Sequence, residues 1–156
     1  MKSPAFTLIE VLVVISLTAI LFGFGFAGFR QYSQRQSLFA AARTVKGDLR
    51  ILQEKALAGE KIDPCIGKRL DGYRFDILPD NTQYNISQLC SGTVYDIENK
   101  NVASGFTVKA TREPILFKVL GQGTDIPSGT SSVITLTQTG TTKTIQISIN
   151  AEGSIQ

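Results

Sequence analysis

The sequence predicts an α+β protein: a long N-terminal helix, half membrane-spanning and half amphipathic, packed on a C-terminal antiparallel β-rich domain. Three observations carry that expectation. Residues 6–29 form an apolar run whose only ionisable side chain is Glu10. Leu38, Ala42, Val45, Leu49, Leu52 and Ala56 then recur at alternating spacings of four and three, one face of an amphipathic helix. From Asp63 onward the apolar period drops to two, in short runs separated by Gly, Pro, Asn and Asp.

The apolar run is about 24 residues, and at about 1.5 Å per helical residue it reaches roughly 36 Å, enough to cross a hydrocarbon layer of about 30 Å. A lone carboxylate in such a run costs on the order of 2.5–3.5 kcal/mol, so Glu10 needs a partner or a purpose. Gly23, Gly25 and Gly28 cluster where the run ends, which points either to close helix packing or to a stretch that can loosen. No proline interrupts residues 6–58, so a single helix of about 50 residues, roughly 80 Å long, is expected. Arg43, Lys46, Arg50, Glu54 and Lys55 fall off its apolar stripe, and Gly59 follows where a helix can end.

Strands are expected at residues 72–78, 93–97, 105–111 and 115–119. A hairpin is expected from SVITLTQT and KTIQISIN, joined at Gly140, Thr141 and Thr142, with Ile145, Ile147 and Ile149 on one face. Residues 121–132, GQGTDIPSGTSS, read as an exposed connection. They lack G-K-[ST], so they are no phosphate cradle. The domain organisation that follows is a leader at 1–5, a membrane or filament-core helix at 6–29, its amphipathic continuation at 30–58, and an outer β-rich domain at 59–156.

Composition narrows the function. The chain has 16 Lys and Arg against 13 Asp and Glu, a net charge of +3, and the basic residues are scattered among acids (Lys46, Asp48, Arg50; Glu60, Lys61; Lys68, Arg69, Asp71) instead of gathering in a block. That scatter speaks against a dedicated nucleic-acid stripe. There is no histidine, no cysteine pair at metal spacing and no G-x-S-x-G, so neither an enzyme nor a cofactor or metal site is expected. The two cysteines, Cys65 and Cys90, are either buried free thiols or, the favoured reading, a disulfide. Closing a loop of about 26 residues, such a bond contributes roughly 3–4 kcal/mol and implies an oxidising, extracytoplasmic compartment.

A short polar leader followed by FTLIEVLVVI, a long apolar helix and a β-rich domain resembles the type IV pilin superfamily, which includes the pseudopilins of type II secretion. The tail, ILFKVLGQG and then VITLTQTGTTKTIQISINAEGSI, is similar to the C-terminal half of H-type pseudopilins and FimT-like minor pilins. The resemblance implies cleavage by a prepilin peptidase between Ala5 and Phe6, N-methylation of Phe6, and pairing of Glu10 with a neighbouring subunit's amine. It also implies storage in the cytoplasmic membrane, assembly with other pilin or pseudopilin subunits into an extracytoplasmic filament, and a structural role without chemistry. Two plainer readings stand beside it: a cleaved secretory signal, for which no convincing A-x-A site follows the run, and a single-span anchor that makes no use of Glu10. A minor pilin that binds DNA or a surface is a further alternative, although AEGSIQ at the end of the chain carries no arginine.

Overall fold

The computed structural model describes residues 7–156, and the side chains within that range except those at 24–28, 30 and 31. Element order is one helix, α1 (Leu8–Ala58), then seven strands: β1 (Leu70–Ile77), β2 (Gln83–Cys90), β3 (Thr93–Asn101), β4 (Phe106–Ala110), β5 (Ile115–Lys118), β6 (Ser131–Gln138) and β7 (Thr144–Asn150). The chain divides into two compact units, one ending at Ser37 and the other running Leu38–Gln156.

In the first unit α1 begins at Leu8 because Thr7 caps it: the Glu10 amide donates to the Thr7 hydroxyl oxygen at 3.3 Å and to its carbonyl at 3.1 Å. Residues 7–10 read T-L-I-E, the spacing of a capping box.

The second unit is built on the expected stripe. Leu38, Ala42, Val45, Leu49, Leu52 and Ala56 are all buried, joined by Ala41. They share one core with the inner faces of two antiparallel sheets, ordered β3-β2-β1-β5 and β4-β6-β7. Alternation sets the first sheet's inner face: Tyr73, Phe75 and Ile77 of β1 stand opposite Gln88, Ile86 and Tyr84 of β2, and Tyr73 and Phe75 opposite Phe117 and Ile115 of β5. The Phe75 and Tyr84 rings lie 4.9 Å apart. In the second sheet Leu136 pairs with Val108 and Ile145, and Ile134 with Ile147, so the C-terminal hairpin forms as expected with its three isoleucines on one face.

Gly72 lies where β1 changes register against β2 and pairs with Lys118 of β5. A Cβ there would stand 2.2 Å from the Phe117 carbonyl oxygen, so only glycine lets the two strands close.

Two expectations need correction. Residues 83–90 were passed over as a strand because Gln, Asn and Ser dilute the alternation, yet β2 is central, and its Ser87 and Gln88 are buried. Residues 121–132 are not simply exposed, since Thr124 and Ile126 are buried. Thr124 bridges Phe117, its amide donates to the Ala151 carbonyl at 2.8 Å, and its hydroxyl donates to the Asn150 carbonyl at 3.0 Å. The segment thus stitches β5 to the end of β7. Its many turn residues concealed three buried positions, Thr124, Ile126 and Ser132.

Candidate functional site

Expected function resides in the N-terminal helix. The expected cut between Ala5 and Phe6, and methylation of Phe6, lie outside the described residues. Glu10 is exposed in the first turn of α1, where a carboxylate interacts favourably with the unpaired amides of the helix start. Around it Leu8, Ile9, Val11, Leu12, Val13, Val14, Ile15, Leu17, Ile20, Leu21 and Phe22 are all exposed, between 47 and 84%. These positions run round the whole helix, so this is an apolar cylinder and not a stripe.

Its hydroxyls are already satisfied: Ser16 donates to the Leu12 carbonyl and Thr18 to that of Val14, each at 2.8 Å. They can therefore enter an apolar environment without leaving an unpaired donor. Among the described residues no helix is long and apolar enough to cross a membrane; the expected span at 6–29 includes position 6 and side chains 24–28, which are not described.

In the second unit Cys65 and Cys90 are joined by a disulfide, with Cα atoms 5.8 Å apart, and both are fully buried. The bond ties the short 3-10 turn after α1 to the end of β2. Buried Gln88 reinforces it, donating to the Glu60 carbonyl at 2.7 Å while its side-chain oxygen accepts from the Ile62 amide at 3.1 Å. The Tyr73 hydroxyl donates to the same Glu60 carbonyl at 3.1 Å.

The chain's likenesses agree with this arrangement. The profile of the prokaryotic N-terminal methylation motif matches residues 1–26. A search of curated protein sequences gives no match. Among solved structures, the minor pseudopilin EpsH from the type 2 secretion system of Vibrio cholerae superposes with a TM-score of 0.55 at 12% identity, covering 77% of this chain and 94% of that one. The fold is that of a pseudopilin. The likeness is therefore of two kinds, a methylation motif over residues 1–26 and a shared fold.

Within this pseudopilin fold a second polar cluster holds the helix to the first sheet, and sequence reasoning missed it. Asp48 of α1 is buried and accepts from the Tyr84 hydroxyl at 2.5 Å and from the Lys100 ammonium at 2.8 Å. The hydrogen bond to Asp48 holds Lys100 above the usual lysine value. Burial, then the Asp48 carboxylate, pushes the Tyr84 phenol far up. The signal was present: Asp48 stands three residues after Val45 and four before Leu52, on the edge of the apolar stripe. A carboxylate at that spacing needs partners from elsewhere in the fold.

Proposed function

We propose that this protein is a structural subunit of a type IV pilus or a type II secretion pseudopilus, made as a precursor and assembled through its N-terminal helix. The observation that carries the reading is the apolar cylinder from Leu8 to Phe22, exposed on every side and lying within the methylation-motif match at residues 1–26. A surface of that kind must be covered by lipid or by other helices. The same residues serve in both states: the helix is held in the cytoplasmic membrane before assembly and packs among like helices in an extracytoplasmic filament afterwards.

Prepilin peptidase would cut between Ala5 and Phe6, leaving an α-amine on Phe6 for methylation. That amine lies about one helical turn from Glu10. In low dielectric a paired carboxylate is far less costly than a lone one, so a docking subunit gains by matching its Glu10 to a neighbour's amine, and a slip of one turn leaves a charge unpaired. The likeness to a minor pseudopilin favours a minor subunit of a secretion filament over a major pilin.

The test is the Glu10→Val variant expressed beside wild-type partners. Membrane insertion should persist while recovery in the sheared filament fraction falls, and mature wild-type protein should begin at Phe6. Normal incorporation of Glu10→Val, or a mature chain that starts elsewhere, would overturn the reading.

A further inference from the structure

We infer that Leu120 anchors a docking contact of the outer unit, as an apolar knob that enters a cleft on a different pilin-type subunit beside it in the assembly. Residues 117–124 form the tip of a hairpin. Phe117 bridges Thr124, the Lys118 amide donates to the Gly123 carbonyl at 2.9 Å, and the Gln122 amide donates to the Val119 carbonyl at 3.2 Å. The two central residues of the turn, Leu120 (φ 55°, ψ 34°) and Gly121 (φ 75°), are both left-handed. Positive φ at both places marks a type I′ turn, whose first central position suits Asn, Asp or Gly and disfavours a bulky apolar side chain. By backbone preference alone, Leu120 is out of place.

No contact among the described residues offsets that strain. Two other residues besides glycine have positive φ there, Asn81 and Ser91, and each uses its side chain locally. The Asn81 amide group donates to the Pro79 carbonyl, and the Ser91 hydroxyl oxygen accepts from the Arg69 amide, each at 3.2 Å. Val119 packs against the core, whereas Leu120 is 74% exposed. Leu57, near the end of α1, is exposed as well. Its side chain lies against the same turn, where a Cβ on Gly121 would stand 3.6 Å from its Cδ2. A strained, bulky residue that gains nothing in its own fold points to a use outside it.

The size of the patch selects what covers it. The exposed parts of the Leu57 and Leu120 side chains amount to roughly 150 Å² of apolar surface. A stable pairwise complex needs about 800 Å² per partner. So small a knob does not hold a free protein, and a single leucine on a tight turn does not hold a membrane. It is effective toward a neighbour that another contact already keeps in place, because the second contact then forms at high effective concentration. The inference rests on the assembly reading above, in which the N-terminal helix supplies that first contact. For a minor subunit the neighbour is a chain of different sequence.

The experiment uses the full chain. Leu120→Asn gives the turn a residue it prefers, so the thermal midpoint in detergent should hold or rise by up to about 3 °C. Its recovery in the sheared filament fraction, beside wild-type partners, should nevertheless fall roughly tenfold, the loss expected from one unburied leucine. Leu120→Met keeps both the strain and the apolar knob, and should assemble as wild type does. A photo-cross-linking amino acid at Gln122 should join, in filaments, to a pilin-type subunit other than this chain, and Leu120→Asn should abolish that adduct. A lowered midpoint for Leu120→Asn would show that Leu120 packs in its own fold. That result, undiminished recovery of Leu120→Asn, an equal loss for Leu120→Met, or adducts only to lipid or to another copy of this chain would overturn the inference and leave the assembly reading standing. If wild-type chain never enters the sheared fraction, the assembly reading falls and this contact falls with it.

Discussion

Replacing Lys100 with methionine should damage the outer unit more than replacing its partner. The Asp48 carboxylate is the more secluded member, its side chain 10% exposed against 30% for Lys100. Removing Lys100 abandons an anion that cannot turn to water, and breaking a buried pair in that way costs about 3–5 kcal/mol; the partial exposure of this pair places the expected loss near the lower end. Asp48→Asn is milder. Its side-chain oxygen still accepts from Tyr84, and the Lys100 ammonium can swing into solvent, so about 1 kcal/mol is expected. For a unit of this size each kcal/mol moves the midpoint by roughly 3–4 °C, giving a fall of about 10 °C for Lys100→Met and about 3 °C for Asp48→Asn. Thermal unfolding of the full chain in detergent, followed by near-ultraviolet circular dichroism of its tyrosines, reads both. The triple variant Asp48→Leu, Lys100→Met, Tyr84→Phe should recover most of the loss, because no buried polar group is then left alone. Equal shifts for the two single variants, or a Lys100→Met shift below about 3 °C, would refute the claim that Asp48 is held away from water.

Three further outcomes are expected from the same fold. Gly72→Ala should destabilise by about 3 kcal/mol or more in urea unfolding, since its Cβ would stand 2.2 Å from the Phe117 carbonyl oxygen; a loss under about 1 kcal/mol, the ordinary effect of a strand glycine, would contradict that contact. Cys65→Ser with Cys90→Ser should lower stability by about 3–4 kcal/mol, measured as the urea midpoint against wild type under non-reducing conditions, and an unchanged midpoint would show that the bond constrains little. Stability should hold level to near pH 9.5 and fall above pH 10. Tyr84 and Lys100 both bind their protons more tightly in the fold than at their ordinary values of 10.0 and 10.5, so the unfolded chain releases them first as pH rises. Tyr84→Phe should flatten the start of that decline.

What the sequence by itself determined is what repeats locally. The apolar stripe from Leu38 to Ala56 and the hairpin isoleucines Ile145, Ile147 and Ile149 were legible because burial on one face imposes a period, 3.6 or 2, on neighbours in the chain. The FTLIE stretch was legible because its chemistry lies in one turn of helix, and the cysteines because only two exist. The tertiary structure alone decided which polar residues go inside. Gln88 and Asp48 look solvated in sequence, and they are buried because partners from distant positions satisfy them: Glu60 and Ile62 for Gln88, Tyr84 and Lys100 for Asp48. For the same reason β2 was missed and Thr124 and Ile126 were left at the surface. A period records the direction in which a side chain points, whereas the burial of a polar group depends on long-range hydrogen bonds that only the folded chain brings together.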